Sequence, residues 1–214
     1  EFIRTYPTTR DLAGSSLRDV LTVWQGMGYN RRAVYLKRTA EILVARHKGK
    51  MPDDPRVLQT LPGIGPYTAG AVACFAYNRP AVFLETNIRK VFIHHFFAGR
   101  QQISDAQILD LVAVTLPNQP RLWYWAVMDY GTQLKQTVGN LNTLSKHYTK
   151  QSAFGGSRRQ IRGQVLRVLA EKTRMTTEDL QVIIDDRRLA SVLEDLAREG
   201  LISRIQNKYK LADA

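Results

Sequence analysis

The sequence predicts a mainly α-helical fold in two parts, and three observations carry that prediction. Apolar residues recur at helical spacing in one segment after another between Leu17 and Lys135. A glycine hairpin, Leu61-Pro62-Gly63-Ile64-Gly65-Pro66-Tyr67-Thr68-Ala69-Gly70, joins two of those segments. After a stretch rich in glycine, serine and asparagine, three more helical segments lead into two short β-type runs around Gln206-Asn207, the order of a small winged-helix-like α+β domain. The division reads as residues 1–150, a linker at 151–157 and residues 158–214.

Each element has a local reason. Glu1-Phe2-Ile3-Arg4 reads like the tail of a helix and the chain opens without Met, so a preceding segment is expected. Ser16 caps a helix over 17–24, with Leu17, Val20, Leu21 and Trp24 on one face, and Gly26-Met27-Gly28-Tyr29 ends it. The helix over 30–47 has Ala33, Leu36, Ala40 and Leu43-Val44 as its core stripe, and places Arg31, Arg32, Lys37 and Arg38 on or near the other face. Pro52-Asp53-Asp54-Pro55 opens a short helix over 56–60 that enters the hairpin.

In the hairpin, Gly63 and Gly65 lack a Cβ, so the backbone can take φ > 0 and approach another backbone, while Pro66 suits the first position of the next helix. Bare N–H groups at a positive helix end make a site for one phosphate; ordinary capping is the alternative. Residues 80–84 form an extended apolar entry, after which Glu85 opens an amphipathic helix over 86–97 marked by Ile88, Val91, Phe92 and Phe96. An anion is favoured at a helix N-terminus, so a carboxylate can be held there without a metal; a charge that merely stabilises the helix is the alternative. Ser104 caps 105–116, Pro117 to Pro120 break the chain, and 121–135 carries Trp123, Trp125 and Met128. Residues 136–159 read as loop and linker, followed by helices over 160–172, 177–184 and 187–198 and strands over 201–205 and 208–211.

Thirty-one Lys and Arg against nineteen Asp and Glu give a formal charge of +12, which points to a polyanionic partner. The basic residues of the C-terminal module, Arg187, Arg188, Arg198, Arg204, Lys208 and Lys210, favour nucleic acid as that partner. No apolar run approaches the ~20 residues that span a bilayer, so a membrane is not expected as a partner. Cys74 is the only cysteine and lies in an apolar helix, which excludes a disulfide, a Cys₄ zinc site and a cysteine-bound iron–sulfur cluster. The absence of a signal peptide fits a reducing cytoplasm, with the protein beside the nucleoid.

The chain resembles the helix–hairpin–helix DNA glycosylases of the endonuclease III superfamily, and most closely the A/G-mismatch adenine glycosylases. The resemblance lies in Trp24-Gln25-Gly26-Met27-Gly28-Tyr29-Asn30-Arg31-Arg32-Ala33, the hairpin through Ala71, Leu84-Glu85-Thr86-Asn87-Ile88-Arg89-Lys90-Val91, and Met128-Asp129-Tyr130-Gly131. It implies a helix–hairpin–helix glycosylase domain that binds double-stranded DNA carrying a mismatched or damaged base, as a monomer, and flips the target nucleotide out of the duplex. Glu85 falls on the family's catalytic Asp and Asn87 on an Asn that assists it. Tyr67 stands where lyase-competent members carry a nucleophilic Lys, which implies a monofunctional enzyme.

DNA contact is assigned to Gly63, Ile64, Gly65 and Thr68 at the hairpin and to Arg31, Arg32 and Arg89. The favoured reaction is hydrolytic removal of adenine opposite guanine or 8-oxoguanine; thymine removal from G·T mismatches and a non-catalytic DNA-binding role are the alternatives. The chain departs from the family in its Glu at position 85, in lacking the four cluster cysteines, and in its C-terminal module. The family's Glu general acid falls upstream of Glu1. No cofactor or resident metal is expected, a monovalent cation at the hairpin being the one ion this reading admits.

Overall fold

The computed structural model describes residues 1–213. The N-terminal part forms α1 (Phe2–Thr5), α2 (Thr9–Gly14), α3 (Leu17–Val23) and α4 (Arg31–His47). Then come α5 (Pro55–Leu58), α6 (Pro66–Tyr77), α7 (Thr86–Phe96), α8 (Asp105–Thr115) and α9 (Pro120–Thr137), followed by a 3₁₀ turn at Leu141–Leu144. The C-terminal part forms α10 (Arg158–Glu171), β1 (Met175–Thr176), α11 (Thr177–Ile183), α12 (Leu189–Arg198), β2 (Ile202–Ile205) and β3 (Lys208–Leu211). The fold is mainly helical, as the periodicity predicts, with a small winged-helix-like module at its end. None of the described helices is long and apolar enough to cross a membrane.

Helix starts are set by short polar side chains. Thr8 and Asp11 form a capping box at α2, Ser104 and Gln107 another at α8, and Thr176 and Asp179 a third at α11. Ser16 and Ser157 cap α3 and α10 with their hydroxyls. Two helices end on side-chain-bearing residues in the left-handed region, Lys48 at φ +55° after α4 and Asn78 at φ +54° after α6.

The chain falls into two compact units, residues 1–51 with 151–214, and residues 52–150. In the first unit one apolar cluster includes Val20 and Leu21 of α3, Ala33 of α4, Leu166 and Leu169 of α10 and Leu193 of α12, so the N-terminal helices share a core with the C-terminal module. The Leu17 N–H donates to the Asp213 carbonyl at 3.3 Å, which ties the start of α3 to the end of the chain. A division drawn along the sequence cannot show this, because amphipathicity says that a helix buries a face and not against what. The sheet is antiparallel in the order β1-β3-β2, with Met175 opposite Tyr209 and Ile202 opposite Leu211. Its first strand has two residues, too few to show an alternating pattern.

Two local readings need correction. Lys37 is not on the solvated face of α4: it is 7% exposed, and its Nζ donates to Glu41 at 2.5 Å and to the Ala13 carbonyl at 3.3 Å. A buried ammonium is tolerated because those partners replace water. Residues 141–145 are not linker either. Their 3₁₀ turn packs against α7, Ser145 pairs with Ile103 in a parallel bridge, and Asn142 and Ser145 are buried.

The second unit centres on α7, which packs along α9. Phe83, Ile88, Phe92, Ile108 and Tyr124 are among the buried residues of its core, with Cys74 beside them. Burial pushes the Cys74 thiol up to about 11, so it is an inert filler of that core.

Candidate active site

The second unit brings the hairpin and Glu85 into one body. Gly63 takes φ +71°, the left-handed region that favours glycine, and the Ile64 N–H closes the turn onto the Leu61 carbonyl at 3.2 Å. Gly65 differs from the expectation, with an ordinary φ of −86° at the N-cap of α6. Its need for glycine is therefore not conformational. A Cβ there would meet nothing within 4 Å, so the missing side chain leaves open space in front of a helix start that has no side-chain cap. Tyr67 and Thr68 stand in the first turn of α6, and Tyr67 is 47% exposed.

The segment from Ala81 to Asn87 is held from three sides. Tyr124 of α9 donates its hydroxyl to the Ala81 carbonyl at 2.9 Å and accepts the Phe83 N–H at 3.2 Å. Burial pushes the Tyr124 hydroxyl up to about 12, so it remains a proton donor at any physiological pH. The Phe83 ring stacks on Tyr124 at 4.0 Å and takes the edge of Tyr67 at 5.8 Å, which links the hairpin helix to this segment. On the α6 side a Cβ at Gly70 would lie 3.0 Å from Phe83, and on the α9 side a Cβ at Gly131 would lie 2.3 Å from the Asn87 carbonyl oxygen. Both positions accept a hydrogen and nothing larger without movement. A glycine inside α9 costs helix propensity of about 1 kcal/mol, which this close approach explains.

Glu85 is the N-cap of α7. Its Oε1 accepts the backbone N–H of Asn87 at 2.7 Å and of Ile88 at 2.9 Å, and the Thr86 hydroxyl donates to Oε2 at 3.1 Å. Glutamate is uncommon as an N-cap, and its extra methylene lets the carboxylate fold back over the first turn. The group is half-buried and fixed in direction. Asn87 meets it through the backbone N–H, so its observed contribution to the carboxylate is from the main chain.

Lys90, one turn on, is a residue that sequence reasoning missed. It is 3% exposed; burial lowers its pKa, and the nearby Glu85 opposes that shift while Lys135 adds to it. The available signal was a cation inside the apolar run of α7. Arg89, assigned to DNA, has an internal partner instead. Its Nε and Nη2 donate to the two carboxylate oxygens of Asp105 at 2.9 and 2.8 Å, and its side chain is 15% exposed. That bidentate pair joins α7 to the start of α8. Arg31 and Arg32 belong to the first unit; both are exposed, and Arg31 pairs with Glu199 at 2.7 Å.

Residues 1–113 match the family described as HhH-GPD superfamily base excision DNA repair protein. The chain belongs to that family. As an HhH-GPD protein it is 30% identical over 229 residues to the adenine DNA glycosylase of Mycobacterium tuberculosis, across 95% of this chain and 75% of that protein. With the adenine DNA glycosylase of Mycolicibacterium smegmatis it shares 29% over 223 residues, across 95% of this chain and 76% of that one. Its fold is similar to that of a thermostable thymine-DNA glycosylase, with a TM-score of 0.54 at 21% identity over 69% of this chain and 72% of that chain. The HhH-GPD resemblance read from the motifs is thereby borne out. These 214 residues carry one cysteine, and its thiol is enclosed in the core of the second unit.

Proposed function

We propose that the protein is a monofunctional DNA glycosylase that hydrolyses the N-glycosidic bond of a mispaired adenine, opposite guanine or 8-oxoguanine, in double-stranded DNA. Family membership and two adenine DNA glycosylases aligned over nearly the whole chain support base excision and favour adenine. The observation that carries the catalytic part is the Glu85 carboxylate, locked by two backbone N–H groups in the same unit as the hairpin.

In this reading one copy of the protein binds the duplex, with Gly63, Ile64, Gly65 and the first turn of α6 around Tyr67 and Thr68 at one phosphate. Breaking the glycosidic bond develops positive charge on the sugar, and Glu85 supplies the opposing anion. A fixed carboxylate in a site that excludes water opposes that charge without reorganising. Asn87 assists by holding the carboxylate through its N–H. Tyr67 has no amine to form a Schiff base, so water takes the sugar carbon. Arg31 and Arg32 contribute to DNA contact, whereas Arg89 acts within the fold, by holding α7 to α8.

The test is a single-turnover assay on duplexes with one A·8-oxoG, A·G or G·T pair, each also run with borohydride. The reading expects abasic product from the adenine duplexes and no covalent adduct. No product from either adenine duplex, or a trapped protein–DNA adduct, contradicts it.

A further inference from the structure

The basic charge of the first unit is unevenly used. In the C-terminal module Arg158 and Arg198 are held by Asp195, Arg188 by Asp186, and Lys210 by Asp213. Those cations are matched inside the module. A cleft of about 710 Å³ in the same unit gathers others, with residues 25–32 on one wall and α10 on another. Five arginines line it, Arg31, Arg32, Arg159, Arg162 and Arg167, against a single carboxylate, Glu199.

Glu199 is already committed, because it takes both Arg31 and Arg162 and so ties α4 to α10. Arg32 and Arg167 are exposed and make no ion pair among the described residues. Arg159 donates to the Ser152 carbonyl at 2.7 Å and lies 5.9 Å from the centre of the Phe154 ring. That ring is 61% exposed, and Tyr29 on the cleft wall is 69% exposed with a backbone φ of +48°. Single exposed rings are ordinary on a protein surface, but these two line the same cleft as the five arginines.

The cleft thus offers an exposed ring, with the Arg159 guanidinium over one of its faces, and guanidiniums that no carboxylate matches, in a volume within the ~300–1,000 Å³ range of ligand pockets. We propose that it binds one unstacked nucleotide of a DNA strand, the base against Phe154 and the flanking phosphates on Arg32, Arg159 and Arg167. A bare phosphate would leave the ring face uncovered, and a paired, stacked base would have no free face to present to it. Base-on-ring stacking beside a basic track is the general chemistry of unpaired strands. The proposal takes the identity of the polyanion from the DNA-repair reading above and is independent of the assignment of Glu85.

Fluorescence anisotropy with two labelled probes, an oligothymidylate and an abasic oligomer of equal length and charge, tests it, with a mismatch duplex run alongside. The parent should hold the oligothymidylate more tightly than the abasic oligomer. Phe154→Ala and the bulkier Phe154→Leu should lower oligothymidylate affinity about tenfold, as loss of one stacked base does, and leave abasic binding unchanged. Arg167→Ala should weaken both probes and reduce the salt slope of single-strand binding by about 0.7. These side chains are exposed, and equal melting temperatures verify that the variants fold. Phe154 variants that bind both probes like the parent, or lose both alike, overturn the proposal. A parent that holds the duplex but neither oligomer overturns the cleft assignment and leaves the DNA-repair reading standing. A parent that holds neither oligomer nor duplex overturns both.

Discussion

At position 131 helix α9 carries a hydrogen where any other residue would carry a carbon. A Cβ built there lies 2.3 Å from the Asn87 carbonyl oxygen and 2.9 Å from its Cα, so it meets backbone that cannot rotate away. Asn87 is also the residue whose N–H holds Glu85 at 2.7 Å. Packing at Gly131 and the hold on the proposed catalytic carboxylate therefore meet at one residue, Asn87. Gly131→Ala should cost about 1–3 kcal/mol of stability, the usual effect of overpacking, although alanine is the better helix former. It should also lower the single-turnover excision rate while duplex binding holds, because the shift falls on the start of α7. Thermal melting and excision kinetics check both halves; a variant as stable and as active as the parent contradicts the account.

At the scale of an element, the start of α12 is governed by one carboxylate. Asp186 accepts the Arg188 backbone N–H at 2.8 Å and the Arg188 guanidinium at 2.9 and 2.7 Å. The Arg188 side chain beside it pushes the Asp186 carboxyl down to about 2. An unfolded aspartate titrates near ~3.9, so the folded state favours the charged form. The stability it contributes is complete above about pH 4 and is lost as the pH falls through about 2. Glu199 adds to the same trend: burial works against its charge, but the Arg162 and Arg31 guanidiniums outweigh burial and leave the carboxyl below its ordinary value. Melting temperature should fall between about pH 4 and 2, and Asp186→Asn should show a smaller fall than the parent. Equal falls would place the acid sensitivity elsewhere.

Across the whole molecule, what was legible in the sequence was what depends on neighbours in the chain. Ser16, Ser104 and the Gly63 turn announce themselves locally, and helices 17–24, 30–47 and 86–97 end within a residue or two of where the structure ends them. The reach of residues 1–51 to the C-terminal core was not legible, nor was the burial of Lys37, because both depend on partners far along the chain. At the site, Glu85 and the hairpin stood out by motif. The clamp formed by Gly70, Tyr124 and Gly131 did not, since a glycine inside a helical run shows its purpose only once a second backbone lies against it. The Asp105 partner of Arg89 lies sixteen positions away, beyond what helix periodicity reports.

The proposed chemistry turns on the charge of Glu85, and Glu85→Gln addresses it directly because the amide keeps the size of the side chain and can still accept the Asn87 and Ile88 N–H bonds. The decisive measurement is the single-turnover rate of adenine excision from an A·8-oxoG duplex, taken together with duplex affinity and melting temperature. Loss of an anion that opposes the developing sugar charge should slow excision on the order of 10²-fold or more, with binding retained or tightened. An unchanged rate beside a melting temperature lowered by the equivalent of about 0.3–1 kcal/mol would contradict it, and would leave Glu85 as the cap of α7 alone.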